Sequence, residues 1–372
     1  MQMIIICVVS IRTRPPRVKP ATLALTLLGA AVPLVAVLSV GAGQLDASPA
    51  EVVRALLHSL DGTGGADVDP ALETVVRQLR LPRILVGLCA GAVLSVGGAC
   101  LQAVVRNDLA DPYLLGVSSG ASLGAALVIA GGAGGAGGSA GAVGSRLMAA
   151  GGALTATGGA FLGALAALAL VMALAGGSRR LSGSRLVLAG LTAGYFLSAI
   201  TNLVVVLSDS RDAVRAITFW MLGSLGRSSW TDVPVLACAT ALTLGYLVLR
   251  ARALDAIGLG DDVARSMGVD PFRLRRSTTA VAALGVAAAV AVSGAIGFVG
   301  LVVPHLARRL VGAAHRALLP AAALLGALVL VAADALARTV LAPREIPLGI
   351  LTALVGTPLL MWMMRRHRPQ PR

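Results

Sequence analysis

Long apolar segments separated by short polar ones dominate the pattern of this chain. A helix needs about 20 predominantly apolar residues to cross the hydrocarbon core of a bilayer. The segment that begins at Phe298 is the shortest and is expected to be tilted or partly re-entrant. The pattern predicts ten transmembrane helices, near Ala21–Val40, Pro82–Val104, Tyr113–Ala130, Leu147–Ala175, Ser184–Leu207, Val233–Leu249, Thr278–Val292, Phe298–Val311, Leu319–Ala337 and Ile346–Met364.

Composition agrees with an all-α polytopic membrane protein. The chain is 57% hydrophobic and 13% charged, whereas soluble domains are roughly 45–50% apolar and about 25% charged. Its 45 glycines suit close contact between helices in lipid. We expect residues 1–20 to be a cytoplasmic extension, 21–365 a transmembrane domain and 366–372 a cytoplasmic tail.

The net charge of +14 is a signal of topology. With the N-terminus inside, the cytoplasmic segments hold 21 of the 31 basic residues and 6 of the 17 acids, while the external segments hold 10 of each. Cytoplasmic loops of membrane proteins carry an excess of Lys and Arg. Both termini are therefore predicted to be cytoplasmic, and nucleic acid is not expected as a partner.

One polar segment, Arg250–Arg276, interrupts the apolar pattern on the cytoplasmic side. Unpaired charges are costly in hydrocarbon, so Ala253–Val269 is expected to form a short helix against the membrane face. The alternative interpretation of this segment is a solvated loop in which the helical spacing of the residues is incidental. A helix here would form a contact surface through which another protein could exert a force on this chain.

The sequence carries no recognisable catalytic site. Lys19 is the only lysine, so the chain has no phosphate-binding GxxxxGK[ST] motif. Cysteines and histidines show no metal-ligand spacing, and no catalytic residue or metal ligand is predicted. An enzyme is therefore not expected, and ATP-driven transport would need a separate ATPase subunit.

Pro304, His305 and Asp334 lie within the predicted spans and are interpreted as structural residues. Asp334 is the one acid inside a predicted span, and Arg338 lies four residues on, so an ion pair is favoured over a proton relay. His305 follows Pro304 near the inner end of its span. It is expected to be structural beside a helix break, because no partner ligand is spaced to help it hold a metal.

Five stretches, in one order, closely resemble the FecCD/cobalamin-type permeases of ABC importers. They are Arg80–Ser122, Arg180–Leu191, Gly258–Val269, Val292–Leu310 and Glu345–Met364. The resemblance implies the ten-helix type II importer architecture in a bacterial cytoplasmic membrane. It also implies a second permease copy or homologue, ATPase subunits inside and a substrate-binding protein outside. ATP would be bound by the ATPase, and no cofactor by this chain.

The resemblance also assigns roles to residues. For the three arginines that the resemblance assigns to docking of the binding protein, the alternative interpretation is ordinary anchoring at the membrane interface. Asp108 replaces a usual proline and Gly183 a common threonine, and both changes are expected to loosen the backbone. The assigned sets are Leu259, Asp261, Asp262, Val263, Arg265 and Met267 for ATPase coupling, Arg80, Arg83 and Arg338 for docking, and Asn107, Leu109, Gly183 and Ser184 for a cytoplasmic gate.

The sequence leaves alternatives open for the substrate and for the transport mechanism. The family carries ferric siderophores, haem or cobalamin, and a ferric siderophore is favoured here. An ion-gradient-driven secondary transporter is the alternative of another class, although acids that could couple to a gradient are nearly absent from the spans. A membrane scaffold without transport would leave Arg250–Arg276 without a purpose.

Overall fold

The computed structural model describes residues 21–42, 51, 54, 70–133, 155–175 and 183–366, and over these ranges the chain is helical and contains no strand. A π-helical turn, Val75–Arg80, leads into the helix that begins at Leu81, and a 3-10 turn, Pro112–Leu115, precedes the helix that begins at Val117. The described α-helices are α1 (Ala21–Gly41), α2 (Pro70–Thr74), α3 (Leu81–Val105), α4 (Val117–Ala133), α5 (Ala156–Ala175), α6 (Gly183–Val206), α7 (Arg211–Met221), α8 (Asp232–Leu249), α9 (Ala251–Gly258), α10 (Asp261–Ser266), α11 (Pro271–Ser293), α12 (Val299–Val311), α13 (His315–Thr339) and α14 (Leu348–Arg366).

The predicted all-helical membrane architecture is confirmed. Within the described ranges, seven helices are long and apolar enough to cross a membrane, and α4 and α14 are shorter apolar helices. The thirteen-residue α12 corresponds to the remaining predicted span, which was expected to be short. Residues 1–20, and the predicted start of the fourth span at Leu147, lie outside the described residues.

Helix α3 is the centre of the bundle, with α8, α11, α12 and α13 packed around it. Glycines make this close packing possible. A Cβ atom on Gly91 would lie 2.2 Å from the carbonyl oxygen of Gly326, and one on Gly98 would lie 1.8 Å from that of Gly300. Small residues at such crossings let helix backbones approach closely in lipid.

Helix α11 begins at Pro271 rather than at the predicted Thr278. Asp270 caps it, since its Oδ1 accepts hydrogen bonds from the backbone N–H groups of Phe272 (2.9 Å) and Arg273 (3.2 Å). An N-cap aspartate followed by proline is a strong signal for the start of a helix. Arginines that were expected in a loop therefore lie on the first turns of a spanning helix.

The backbone between α11 and α12 is not helical. Gly294 and Phe298 have positive φ values of 69° and 68°. The hydroxyl of Tyr113 accepts a hydrogen bond from the N–H of Ile296 (2.8 Å) and donates one to its carbonyl (2.9 Å). Polar backbone groups at membrane depth need such partners. This break explains why α12 is short.

Candidate functional site

The predicted helix Ala253–Val269 is two helices, α9 and α10, separated by a break. Gly260 stands at the junction with φ of 121°, a conformation that other residues rarely adopt. Ala264 on α10 is fully buried and packs with Ile257 of α9 and Leu274 of α11. The short helix α10 is thus fixed to the bundle on one side only.

The other side of α10 exposes apolar side chains. Leu259, Val263 and Met267, four residues apart, have 69%, 42% and 60% of their surface exposed. We call these three residues the coupling ridge. Exposed apolar side chains grouped in this way commonly mark a surface that contacts another protein.

The two acids of α10 play different parts. Asp261 receives two hydrogen bonds from Arg275, at 2.6 and 2.8 Å, and Arg106 lies 3.5 Å away. The hydrogen bonds from Arg275, more than the charges around it, lower the pKa of the Asp261 carboxyl. Asp262 has a fully exposed side chain and pairs with Arg265 at 2.7 Å. Asp262 and Arg265 therefore face outward, whereas Asp261 anchors α10.

Arg275 connects the coupling segment to the end of α3. Its side chain is only 4% exposed, and its Nε donates to the carbonyl oxygen of Val104 at 3.3 Å. A positive charge at a helix C-terminus also interacts favourably with the helix dipole. Arg275 thus joins Asp261 to the last turn of α3, which precedes the predicted gate loop.

That loop is held at Asp108. Asn107 Oδ1 accepts a hydrogen bond from the N–H of Leu109 at 2.9 Å, which forms a tight turn. His305 Nε2 donates to the carbonyl oxygen of Asp108 at 2.7 Å, and Arg308 pairs with the Asp108 carboxylate at 3.3 Å. Asp108, expected to loosen the loop, is thus fixed at both its carbonyl and its carboxylate. These contacts give His305 a structural partner one residue after Pro304.

The second predicted gate segment lies against the first. Gly183 begins α6 beside Val105, where an added Cβ atom would lie 2.8 Å from the carbonyl oxygen of Val105. Glycine was expected to loosen this segment, but here it permits a close approach of two backbones. Ser184 follows on the first turn of α6, so the structure brings the predicted gate residues to one place.

A cluster of ion pairs lies at the external end of the bundle. Arg83 donates to both oxygens of Asp334 at 2.8–3.0 Å and to both oxygens of Glu345 at 3.0–3.1 Å. Asp334 also lies 3.0 Å from Arg338, the partner four residues on. The side chain of Asp334 is 2% exposed and that of Glu345 is 49% exposed. Both carboxylates therefore share the guanidinium of Arg83.

The remaining arginines of this cluster bind the end of α1. Arg338 donates to the carbonyl oxygens of Ala42 (2.8 Å) and Ser39 (3.0 Å), and Arg80 also donates to Ala42. Arg83 and Arg338 are thus buried and engaged within the chain, while Arg80 is half-buried. Docking of a binding protein by these arginines stays a prediction.

Sequence reasoning did not single out Glu345 as a partner of Arg83. These residues lie 262 positions apart, and no local spacing connects them. One signal was available, because Glu345 opens the last of the matched stretches. Among the described residues, no group of three or more His, Cys, Asp or Glu side chains could hold a metal ion.

These features define a class of protein: a polytopic helical membrane protein with an exposed apolar ridge on a short helix outside its spans. The comparisons identify the family. The FecCD transport family matches residues 31–366, and the chain belongs to it. The protein is therefore a permease subunit of an ABC importer, a multi-pass protein of the bacterial cytoplasmic membrane. Members of this family form the transport component, and ATP is hydrolysed on a partner subunit.

Several relatives are similar over most of their length. The Fe(3+)-citrate import permease YfmD of Bacillus subtilis is 37% identical over 80% of this chain and 83% of its own. The hemin transport permease HmuU of Yersinia pestis is 36% identical, over 92% and 96%. The cobalamin import permease BtuC of Halobacterium salinarum is 38% identical, over 80% and 75%.

A solved structure supports the same assignment. It is described as an inward-facing conformation of a metal-chelate-type ABC transporter. It matches with a TM-score of 0.76 and 32% sequence identity, over 93% of this chain and 99% of that one. The family assignment therefore rests on sequence and on fold.

Proposed function

We propose that this permease carries a ferric siderophore, that is, iron already enclosed in an organic chelator. The similarity to the Fe(3+)-citrate import permease YfmD supports a chelated ferric cargo. The similarities to HmuU and BtuC support haem or cobalamin as alternative cargo for the same machinery. All three classes are large chelates, so the choice among them would rest mainly with the binding protein.

In the proposed mechanism, the coupling ridge, Asp262 and Arg265 contact the ATPase. Closure of the ATPase pair on ATP pushes α10, and Asp261 transmits the displacement to Arg275 and the end of α3. The gate formed by Asn107, Leu109, Gly183 and Ser184 then changes its width. The supporting observation is the continuous set of contacts from Asp261 through Arg275 to Val104. ATP is bound by the partner, and this chain binds no cofactor.

On the external side, Arg80, Arg83 and Arg338 are proposed to meet acidic residues of the binding protein. Arginine suits this task because its planar guanidinium can bind carboxylates in a bidentate manner. The carboxylates of Asp334 and Glu345 now occupy Arg83. Docking would therefore exchange one set of carboxylate partners for another.

A second permease copy, or a close homologue, is proposed to complete the passage. Helix α6 carries large exposed side chains, with Tyr195 77% and Phe196 61% exposed. Together with exposed apolar residues on α14, such as Leu354 at 67%, they offer a surface for a facing helix. The passage would then lie between two subunits, with α6 along its wall.

A gradient-driven secondary transporter is less well supported. Such a carrier needs an intramembrane carboxyl group that can bind and release a proton. Asp334 is the one acid predicted within a span, and it is bound by Arg83 and Arg338. An acid held by two guanidinium groups is poorly suited to carry protons.

The decisive experiment is uptake into vesicles that hold this chain, its ATPase and its binding protein. We expect a labelled ferric siderophore to accumulate only when ATP is supplied to the ATPase and only when the ATPase is present. Uptake of cobalamin or haem instead would keep the mechanism and correct the cargo. Accumulation driven by an ion gradient with this chain alone would overturn the proposal.

A further inference from the structure

An open apolar groove runs along the bundle between α5, α8 and α11. It has a volume of about 640 Å³ and almost no polar lining. It extends on α8 from Val235 to Tyr246. The rise along α8 from Val235 to Tyr246 is about 16 Å, and it runs from the first turn of the helix, on the external side, to its last turn on the cytoplasmic side. Its wall includes Phe161, Leu242, Val281, Leu284 and Ala288.

The cytoplasmic end of this groove meets a basic cavity. Tyr246 lines both the groove and a second cavity of about 460 Å³, which also contains Arg250 and Arg273. Arg273 in turn lines a third cavity of about 660 Å³ with Arg265 and Arg276. An apolar groove and a basic surface are therefore continuous along one side of the protein.

Two of these arginines have no acidic partner among the described residues. Arg273 pairs with Asp270 at 3.3 Å, and Arg265 pairs with Asp262 at 2.7 Å. For Arg250 and Arg276, the part of the chain that the structure describes shows no carboxylate within ion-pair distance. Arg250 instead lies over the ring of Tyr246, 5.7 Å from its centroid. Two positive charges remain uncompensated beside the groove.

We propose that this surface binds one anionic phospholipid of the cytoplasmic leaflet, with its phosphate at Arg250 and Arg276 and an acyl chain in the groove. The charges match an anionic headgroup, and the length and apolar lining of the groove match a hydrocarbon chain. Basic residues near the cytoplasmic surface attract anionic lipids of that leaflet. The site is distinct from α6, the proposed wall of the passage, because no residue of α6 lines the groove or the two basic cavities.

The ATPase is the rival occupant of the basic cavity. Of the proposed ATPase contacts, Arg265 lines the third cavity, whereas Asp262 and the coupling ridge line neither the groove nor the two basic cavities. Acidic side chains of a soluble ATPase would satisfy Arg250 and Arg276 but would leave the membrane groove unfilled. A lipid occupies both parts, which is why the lipid is favoured.

The test is native mass spectrometry of the purified chain exposed to phosphatidylglycerol and phosphatidylcholine with identical acyl chains. We expect the wild type to retain phosphatidylglycerol preferentially. The double variant Arg250→Gln/Arg276→Gln should lose that preference by about 30-fold, with phosphatidylcholine retention unchanged. Ala239→Trp, which fills the groove, should lower retention of both lipids.

The matched control is Arg252→Gln/Arg316→Gln, which removes two exposed cytoplasmic arginines that line none of the three cavities. It should retain the wild-type preference. No preference in the wild type, or the same loss in the control, would refute a specific site. Displacement of the lipid by soluble glycerol phosphate would identify a free-anion site instead. Loss of ATPase association with unchanged lipid retention would assign the arginines to the ATPase.

Discussion

At the scale of single residues, the external ion pairs depend on one another because they share partners. Asp334 is nearly inaccessible to solvent and balances two guanidinium groups, Arg83 and Arg338. Removing one partner of a buried ion pair leaves an uncompensated charge, which costs more than the pair itself contributes. The acid therefore matters chiefly because the arginines around it are already buried.

Replacing Asp334 with Asn should destabilise the protein by about 3–5 kcal/mol. Thermal unfolding of the purified permease in detergent micelles measures the loss. Glu345→Gln is the matched control, since Glu345 binds the same arginine but is half-exposed and should cost at most about 1 kcal/mol. Equal effects of the two substitutions would contradict the burial argument.

Gly183→Ala should impair the gate without unfolding the bundle. The added methyl group would lie 2.8 Å from the carbonyl oxygen of Val105 and push α6 away from α3. Overpacking of this kind typically costs about 1–3 kcal/mol. We expect reduced uptake in vesicles with normal assembly of the importer. As a control, Gly245→Ala meets no atom within 4 Å and should leave uptake unchanged.

At the scale of elements, the apolar runs could be predicted from the sequence because each lies within one helix. The start of α11 was missed although Asp270 and Pro271 signal it, because the arginines that follow Pro271 look like a loop until their partners are known. Arg273 is balanced by Asp270 and Arg275 by Asp261. These contacts make a charged first turn compatible with a spanning helix.

The candidate sites could be predicted from the sequence only in part, because some of their contacts also join residues that are distant in sequence. The sequence pattern places Leu259, Val263 and Met267 on one surface, because their spacing of four residues is a property of one short segment. It does not show that Asp261 turns inward, since Arg275 lies 14 residues away and Arg106 follows the end of another helix. Contacts between residues of different elements can be recognised only once the fold is known.

Charge introduced on the coupling ridge should weaken ATPase binding. Met267→Asp places a carboxylate where an apolar contact is proposed, and a central interface residue is worth about 2 kcal/mol or roughly 30-fold in affinity. Co-purification of the ATPase with the permease measures this loss. Arg316→Asp alters the same face away from α10 and should leave the ATPase bound. Undiminished association of Met267→Asp would remove the ridge from the interface.

Asp261→Asn and Asp262→Arg should separate transmission from binding. Asp262 is exposed, so its reversal should reduce ATPase association. Asp261 instead faces Arg275, so its substitution should leave association intact and lower ATP-driven uptake by about tenfold. Measuring ATPase co-purification and uptake for both variants distinguishes the two roles. A common loss of association would show that Asp261 acts only by holding the shape of α10.

At the scale of the whole molecule, the chain has a separate contact system at each membrane surface. Outside, Arg83 and Arg338 join α1, α3 and α13. Inside, Asp261 and Arg275 join α10, α11 and α3. Because α3 takes part in both, it is the element through which events at the two surfaces can influence each other.

The external cluster also limits how this protein can diversify. Its members come from positions as far apart as 83 and 345, and the Asp334 carboxylate pairs with both Arg83 and Arg338. A natural substitution at Asp334 would remove the buried carboxylate that these two arginines share, so we expect it to persist only where those positions change with it. Descendants of this permease should therefore inherit or exchange Arg83, Asp334 and Arg338 together, even while the cargo they carry changes.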